Sequence, residues 1–355
     1  MSNINSANLI SLILIGVAVL FVINQVAKQL AMRQARSTSA GISTESSMPT
    51  SNSPSVEPSI DPEQKRQEPD LDQTQPAPEF PIVEKSEAAP DVQACLEEIQ
   101  DTMGIPWTPA NWRSYAIYPS VMQLFWRRIK PMVATERFVR EAIALSEHVY
   151  QNMSDWYQPS YQVELTDAQQ HRLQRELNAF IFGNPQLLIQ QRILSRSLQG
   201  QVAGQDGNTA PRRDAHPQRH PELKLLDQPP SENLSQIYQD IQRTLNAPIV
   251  NSDFQAVAKY PEFFSAAWED FKLWRDRPEY QLLVEDLTRK ADEAIDQLHP
   301  AIAIGKREIQ DLLDDADSFD QLQTRIELFD RILPELIVSN AMFLYGASKV
   351  QKTST

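Results

Sequence analysis

Residues Ile241 to Trp268, IQRTLNAPIVNSDFQAVAKYPEFFSAAW, repeat the earlier stretch Ile99 to Trp126, IQDTMGIPWTPANWRSYAIYPSVMQLFW, without a gap. Eight of the 28 aligned positions are identical at a constant offset of 142, namely Ile99/Ile241, Gln100/Gln242, Thr102/Thr244, Pro106/Pro248, Ala116/Ala258, Tyr118/Tyr260, Pro119/Pro261 and Trp126/Trp268. Self-similarity of this kind predicts an internal duplication. Asn111 stands where the second copy has Asp253. The copies therefore share a scaffold but not the charge at this position.

Both copies predict helices. Apolar residues recur at intervals of three and four, which is typical of amphipathic helices. Thr166 to Gln169 reads as a capping box that opens a long helix. The second copy continues with predicted helices over Tyr280–Leu298, Ile302–Asp315 and Ser318–Ser348. The only candidate for an extended piece is Tyr161–Leu165, so the fold class is all-α.

The chain divides by composition into five predicted segments. They are an N-terminal transmembrane anchor with a basic flank (1–36), a disordered Ser/Pro/Glu-rich linker (37–90), helical repeat 1 (91–198), an inter-repeat linker (199–232) and helical repeat 2 (233–349). Ser, Pro and Glu bury too little apolar surface to offset the ordering entropy of a linker. The two repeats are expected to pack as a pseudo-dimer with a cleft on the pseudo-twofold axis.

Residues 7–27 form an apolar stretch long enough to cross a bilayer as a helix. No charged side chain precedes it, whereas Lys28, Arg33 and Arg36 follow. A cleaved signal peptide carries its positive residues first, so the pattern favours an uncleaved single-pass anchor. Positive residues after the span place the globular part in the cytoplasm.

Composition excludes several kinds of partner. A formal charge of −14 argues against binding to nucleic acid. The single cysteine, Cys95, excludes a cysteine-rich zinc site, and the chain has no glycine-rich phosphate loop. His216 and His220 lie in a proline-broken run that is no helix, so a metal is not expected there.

Asp253 is the candidate catalytic residue. The simpler interpretation is that the pair Ser252-Asp253 caps a helix. However, Asn111 in the first copy would cap equally well, so capping does not require the exchange to an acid. A site on a pseudo-twofold axis needs only one base, and a helix N-terminus should keep that acid ionised at neutral pH.

Two further features draw attention in the first copy. Phe182-Gly183-Asn184-Pro185 interrupts a long predicted helix, and the simpler interpretation is a bend. Trp107 follows Pro106, and its counterpart is Ile249, so this position is apolar in both copies. It is expected in the core or in the wall of the cleft.

Residues 91–348 resemble the group I, non-stereospecific 2-haloacid dehalogenases, also labelled the halocarboxylic acid dehydrogenase family. The resemblance rests on IPWTPANWRSYAIYP, AFIFGNPQLL and SDFQAVAKYP, in that order. It implies an all-α pseudo-dimer and a hydrolase without a cofactor. In such a hydrolase, Asp253 would activate a water that attacks C2 of a 2-haloalkanoic acid, with Asn184 holding the water. Inversion at C2 would give a 2-hydroxy acid.

The resemblance also implies a substrate pocket, whose expected residues are Trp107, Ala110, Leu187, Asn251, Ser252, Phe329, Ile332 and Leu333. Ala110 and Leu187 replace a Phe and a Tyr of the family pattern, which implies a wider and less polar cleft. The alternative is a non-catalytic, membrane-tethered helical module that uses the same cleft to bind a hydrophobic ligand or a peptide. Joint retention of Asp253 and Asn184 favours the enzyme, whereas the changes at Ala110 and Leu187 favour the binding module.

Overall fold

The computed structural model describes residues 80–207 and 222–352, and these are mostly helical. The all-α class is therefore confirmed for the described residues. The predicted transmembrane segment 7–27 and the linker up to residue 79 lie outside them. In the portions that the structure describes, none of the helices combines the length and the apolar character needed to cross a membrane.

The first half of the described chain contains five helices. They are α1 (Pro90–Met103), α2 (Ala110–Tyr115), α3 (Pro119–Val133), α4 (Glu136–Met153) and α5 (Asp167–Leu198). Prolines occupy the first turns of α1 and α3, where a missing N–H costs nothing. The predicted capping box opens α5, with Thr166 Oγ1 accepting from the Gln169 N–H at 3.3 Å.

The second half contains six helices. They are α6 (Glu232–Thr244), α7 (Ser252–Val257), α8 (Pro261–Arg275), α9 (Pro278–Ile295), α10 (Lys306–Gln310) and α11 (Ala316–Lys349). With α10 set aside, α6, α7, α8, α9 and α11 follow the order and approximate lengths of α1 to α5. For example, α3 and α8 have 15 residues each, and α4 and α9 have 18 each.

The long helices α5 and α11 pack against each other through the middle of the core. They run antiparallel, because Gln170 Nε2 near the start of α5 donates to Ala347 O at 2.8 Å, whereas Gln191 Nε2 near its end donates to Ile326 O at 2.7 Å. Arg192 on α5 also bonds to Asp330 on α11. Helix α2, which follows Pro106, packs on α11, and helix α7, which follows Pro248, packs on α5.

Two short strands complete the described fold. β1 (Glu164–Leu165) pairs in parallel with β2 (Gln351–Lys352), with Glu164 opposite Gln351. β1 confirms the extended piece predicted at Tyr161–Leu165. The pairing ties the residues after α11 to the start of α5.

The predicted linker 37–90 includes residues that pack on the helices, so its boundary is corrected. The Phe80 ring lies 6.3 Å from the ring of Phe329, and the Arg325 guanidinium lies 4.2 Å above Phe80. Val83 N–H donates to Arg113 O at 3.1 Å, and Lys85–Glu87 form a 3-10 turn. An aromatic ring and a valine supply contact area that the Ser- and Pro-rich composition of the linker does not suggest.

Both described ends of the predicted inter-repeat linker 199–232 are also bonded to the helical core. At its start, Gln205 N–H donates to Leu298 O at 2.8 Å, and near its end Leu223 N–H donates to Pro106 O at 2.7 Å. Residues 208–221, which include His216 and His220, lie outside the described residues.

The helix predicted over Ile302–Asp315 is wrong for most of its length. Ile302 instead forms an antiparallel bridge with Ala203, with both backbone hydrogen bonds present. Gly305 then precedes the short α10. Long-range pairing of the Ile302 backbone has therefore replaced the local helix.

Candidate functional site

Asp253 is the second residue of α7, and its side chain is 4 % exposed. The backbone is extended at Asn251 and then enters α7, a helix of only six residues that packs on α5. Asn251 makes no side-chain capping bond. The site is thus built around a buried acid rather than around a cap on the helix surface.

Two side-chain amides meet on one oxygen of Asp253. Asn184 Nδ2, from α5, donates to Asp253 Oδ1 at 2.5 Å. Asn340 Nδ2, from α11, donates to the same oxygen. Three helices from both halves of the chain therefore converge on one carboxylate, and the pairing of Asp253 with Asn184 is direct.

Burial raises the pKa of the Asp253 carboxyl to about 6, although the Asn184 and Asn340 amides oppose this shift. Loss of hydration outweighs the two amide donors, because an ionised carboxylate is costly in a low dielectric. The sequence-based expectation of an acid that is ionised at neutral pH agrees with this pKa. A group with this pKa is still about nine-tenths ionised at pH 7.

The segment Gly183-Asn184-Pro185 lies inside a continuous helix, α5. Pro185 has no N–H for Ile181 O, the acceptor one turn earlier. Ser146 Oγ, on α4, donates to that oxygen at 2.7 Å and replaces the missing bond. The helix therefore passes through the proline and presents Asn184 to Asp253.

Gly183 makes room for Trp107. A Cβ on Gly183 would fall 2.3 Å from the Trp107 ring and 2.9 Å from Ile105. The Trp107 ring also lies 4.4 Å from the Phe180 ring, and Trp107 is buried. Trp107 is thus held against the helical turn that carries Asn184.

Gly183→Ala should destabilise the protein by about 1–3 kcal/mol, because the added methyl displaces Trp107 from a packed wall. An ordinary glycine inside a helix would instead gain about 1 kcal/mol on this exchange. Denaturant unfolding of the full-length chain measures whether the exchange lowers or raises the free energy of unfolding. Gly305→Ala is the control, since the nearest neighbour of its Cβ would be 3.9 Å away. A stabilised Gly183→Ala variant would contradict the close contact.

Asn251 and Ser252 both lie beside Asp253 in the chain and are buried. Asn251 Oδ1 and Ser252 Oγ have no hydrogen-bond partner among the described residues. Buried polar groups normally have a partner, so such atoms are suited to a bound molecule.

The remaining predicted pocket residues lie on α5 and α2 in one set and on α11 in the other. Leu187 follows Asn184 by one turn of α5 and is buried, and Ala110 begins α2 and is buried. Phe329, Ile332 and Leu333 are buried on α11. Phe329 precedes Asn340 by eleven residues, or about 16 Å along the helix axis. The structure packs Phe329 against Tyr115 and Phe80.

Asn340 is the residue of the site that sequence reasoning missed. It lies in the apolar run Ile337–Phe343 of α11 and is 1 % exposed. A buried amide in an apolar helix face is the signal that could have identified it, because such groups require partners. No potential metal site of three clustered His, Cys, Asp or Glu side chains occurs within the described ranges.

The chain matches sequences of known dehalogenases. Residues 106–254 match the family described as halocarboxylic acid dehydrogenase DehI. An (R)-2-haloacid dehalogenase of Pseudomonas putida is 26% identical over 279 residues, covering 75% of this chain and 92% of the relative. A configuration-inverting 2-haloacid dehalogenase of Alcaligenes xylosoxydans xylosoxydans is 24% identical over 246 residues, covering 66% and 82%.

Solved structures share the fold. A D-2-haloacid dehalogenase described as a complex with L-LA has a TM-score of 0.70 at 24% identity and covers 76% of this chain and 96% of its own. A mutant described as a complex with D-2-CPA has a TM-score of 0.67 at 23% identity, with the same coverage.

These comparisons do not confirm one detail of the resemblance. The relatives are named for the (R) acid or for inversion of configuration, and none of these names supports the non-stereospecific subtype. Together, the sequence matches support a hydrolase of carbon–halide bonds that is related to the 2-haloacid dehalogenases.

Proposed function

We propose that this protein hydrolyses the carbon–halogen bond at C2 of 2-haloalkanoic acids. The observation that carries the proposal is the buried Asp253 carboxylate, bonded by the Asn184 amide, in a chain related to 2-haloacid dehalogenases. Asp253 is the general base, and Asn184 is the residue that orients it and the attacking water. No cofactor takes part in the proposed reaction.

The proposed reaction is a direct displacement by water. Both amides bond Asp253 Oδ1, so Oδ2 is the oxygen proposed to take the proton from water. The water oxygen forms a bond to C2 on the face opposite the halogen, and the carbon–halogen bond breaks with its electron pair leaving on the halide. Water, haloacid and base thus become 2-hydroxy acid, halide and protonated Asp253.

Burial suits this displacement. The site is buried, with less than 5 % exposure for each of Asp253, Asn184 and Trp107. The carboxylate is therefore weakly hydrated, and its pKa is raised toward the pH at which it must accept a proton. We propose that the Ser252 hydroxyl donates to the substrate carboxylate, and that Trp107, Ala110 and Leu187 contact its carbon chain. Asn251, Phe329, Ile332 and Leu333 are proposed to complete the pocket wall.

The direct test is halide release from the two enantiomers of 2-chloropropionate, supplied separately to the full-length chain. The names of the relatives favour the (R) enantiomer, and inversion should give (S)-lactate. Product configuration is read by chiral chromatography. Release from neither enantiomer by a folded protein would refute this substrate class and leave the alternative of a non-catalytic binding module.

The activity should depend on pH through Asp253. A base is active only when deprotonated, so kcat/KM should fall tenfold per pH unit below a pKa of about 6 and level off above it. Initial rates of halide release between pH 5 and 8, with circular dichroism at each pH, measure this limb. A flat profile in a protein that stays folded would exclude Asp253 as the base.

We also propose that the two halves are copies of one ancestral unit. Trp126 Nε1 donates to Glu98 Oε2 at 2.7 Å, and at the same offset Trp268 Nε1 donates to Asp240 Oδ2 at 2.8 Å. Lys130 and Lys272 pair with these same acids. A contact set repeated with the sequence offset supports duplication and the predicted pseudo-dimer.

Residues 7–27 are proposed to anchor the enzyme in a membrane, with its globular part in the cytoplasm. The support is the apolar stretch and the positive residues that follow it. Alkaline carbonate extraction of membranes from expressing cells tests this, because an integral protein stays in the pellet. Release of the full-length chain into the supernatant would refute the anchor.

A further inference from the structure

Asn340 contacts the same oxygen of the proposed base as Asn184 does. Its Nδ2 donates to Asp253 Oδ1 and also to Leu336 O, the latter at 2.8 Å. The residue is buried in α11, whereas Asn184 belongs to α5. Asp253 Oδ1 is therefore bonded by amides from both central helices.

The two bonds fix which way the Asn340 amide points. A flipped amide would place its oxygen against both a carboxylate oxygen and the Leu336 carbonyl, and three acceptors would then face one another. Nδ2 must therefore face Asp253, and Oδ1 points away from these two acceptors. Asn340 Oδ1 is buried and has no hydrogen-bond partner among the described residues.

Packing alone does not explain an asparagine at this place. Its neighbours in the run Ile337–Phe343 are mostly apolar, and a buried acceptor without a partner destabilises the folded state. A leucine of similar size would avoid that cost. What the amide supplies, and a leucine does not, is a second donor to Asp253.

We propose that Asn340 is a positioning residue for the reaction: with Asn184 it clamps Asp253 Oδ1 and so directs Oδ2 toward the hydrolytic water. This inference rests on the proposed function of the site. Donors on two helices restrict the rotation of the carboxylate about its χ2 torsion more than a single donor would. The base is then held in the orientation that the displacement needs.

Asn340→Leu tests the clamp. Removing a donor to the ionised form should raise the pKa of Asp253 and move the acid limb of the pH–rate profile upward by about one unit. We expect kcat at pH 7 to fall at least tenfold, with KM changing less than threefold. An acid limb that stays in place would overturn the proposal.

Ser339→Ala is the matched control on the same helix. Ser339 Oγ donates to the same Leu336 carbonyl at 3.1 Å, and Ser339 is equally buried. This variant removes one bond to that carbonyl but leaves both amides on Asp253. Its pH profile should match that of the parent. A shift equal to that of Asn340→Leu would show that helix packing, not the clamp, is responsible.

A second readout does not need activity. Titration of ¹³Cγ-labelled aspartate by NMR, with the Asp253 signal assigned by its loss in Asp253→Asn, follows the base itself. Asn340→Ala, which removes the donor without adding a charge, replaces Asn340→Leu if the latter does not fold. A raised titration midpoint in either variant supports the clamp even if no haloacid is hydrolysed, and an unchanged midpoint refutes it.

Discussion

Asp253→Asn should lower kcat/KM for halide release by about 10²–10⁴-fold, the usual contribution of a general base. The exchange keeps the shape of the side chain and the oxygen that accepts from Asn184 and Asn340. It also introduces the residue type found at the aligned position, Asn111. Only the ability to take a proton from water is lost. Chloride release from (R)-2-chloropropionate at pH 7.5 measures the change.

Asn111→Ala provides the comparison for this loss. Asn111 is a buried amide at the equivalent position on α2, and it belongs to the half of the chain that does not supply the base. Its activity should stay within a few-fold of the parent. If Asp253→Asn also keeps more than a tenth of the parental rate, Asp253 is not the base and the displacement proposed above is wrong.

The same Asp253→Asn exchange should make the protein more stable at pH 7, by up to about 3 kcal/mol. Burial raises the pKa of this carboxyl from 3.8 to about 6, so the folded state binds its proton more tightly than the unfolded chain does. Stability due to this group is therefore greatest below pH 4 and falls as the pH rises to 6. Above pH 6 the folded protein carries the full cost of a buried charge.

Urea unfolding of the parent and of Asp253→Asn at pH 4.5 and pH 7.5 measures this dependence. The gain should be large at pH 7.5 and small at pH 4.5. Asn111→Asp is the mirror variant, and it should lose stability at pH 7.5 because it buries a second acid. An Asp253→Asn variant that is less stable than the parent at pH 7.5 would contradict the raised pKa and indicate a structural carboxylate.

The combination of lost activity and gained stability separates catalytic from structural roles. If a buried carboxylate only held helices together through an ion pair, removing its charge would lower both the activity and the stability of the protein. Asp253 has amide partners, not a lysine or arginine, for Oδ1. Its charge therefore costs stability, and the proposed function is the reason to keep it.

Local sequence determined most of the helices. The three- and four-residue periodicity placed α1 to α9, and the Thr166–Gln169 pair marked the start of α5, since these signals act within a few residues of chain. The helix predicted over Ile302–Asp315 failed because Ile302 pairs with Ala203, 99 residues away in the chain. Phe80 was assigned to the linker for the same reason, since its partners Arg325 and Phe329 are distant in sequence.

The candidate site divides in the same way. The exchange of Asn111 for Asp253 and the pattern Gly183-Asn184-Pro185 were visible in the sequence, and the structure brings Asp253 and Asn184 into contact. Ser146 and Asn340 were not, because their bonds to Ile181 O and Asp253 join separate helices. The sequence thus determined an all-α chain with one candidate acid. Only the tertiary structure decided that acid's partners and its pKa, because burial from water is a property of packed helices and not of any one segment.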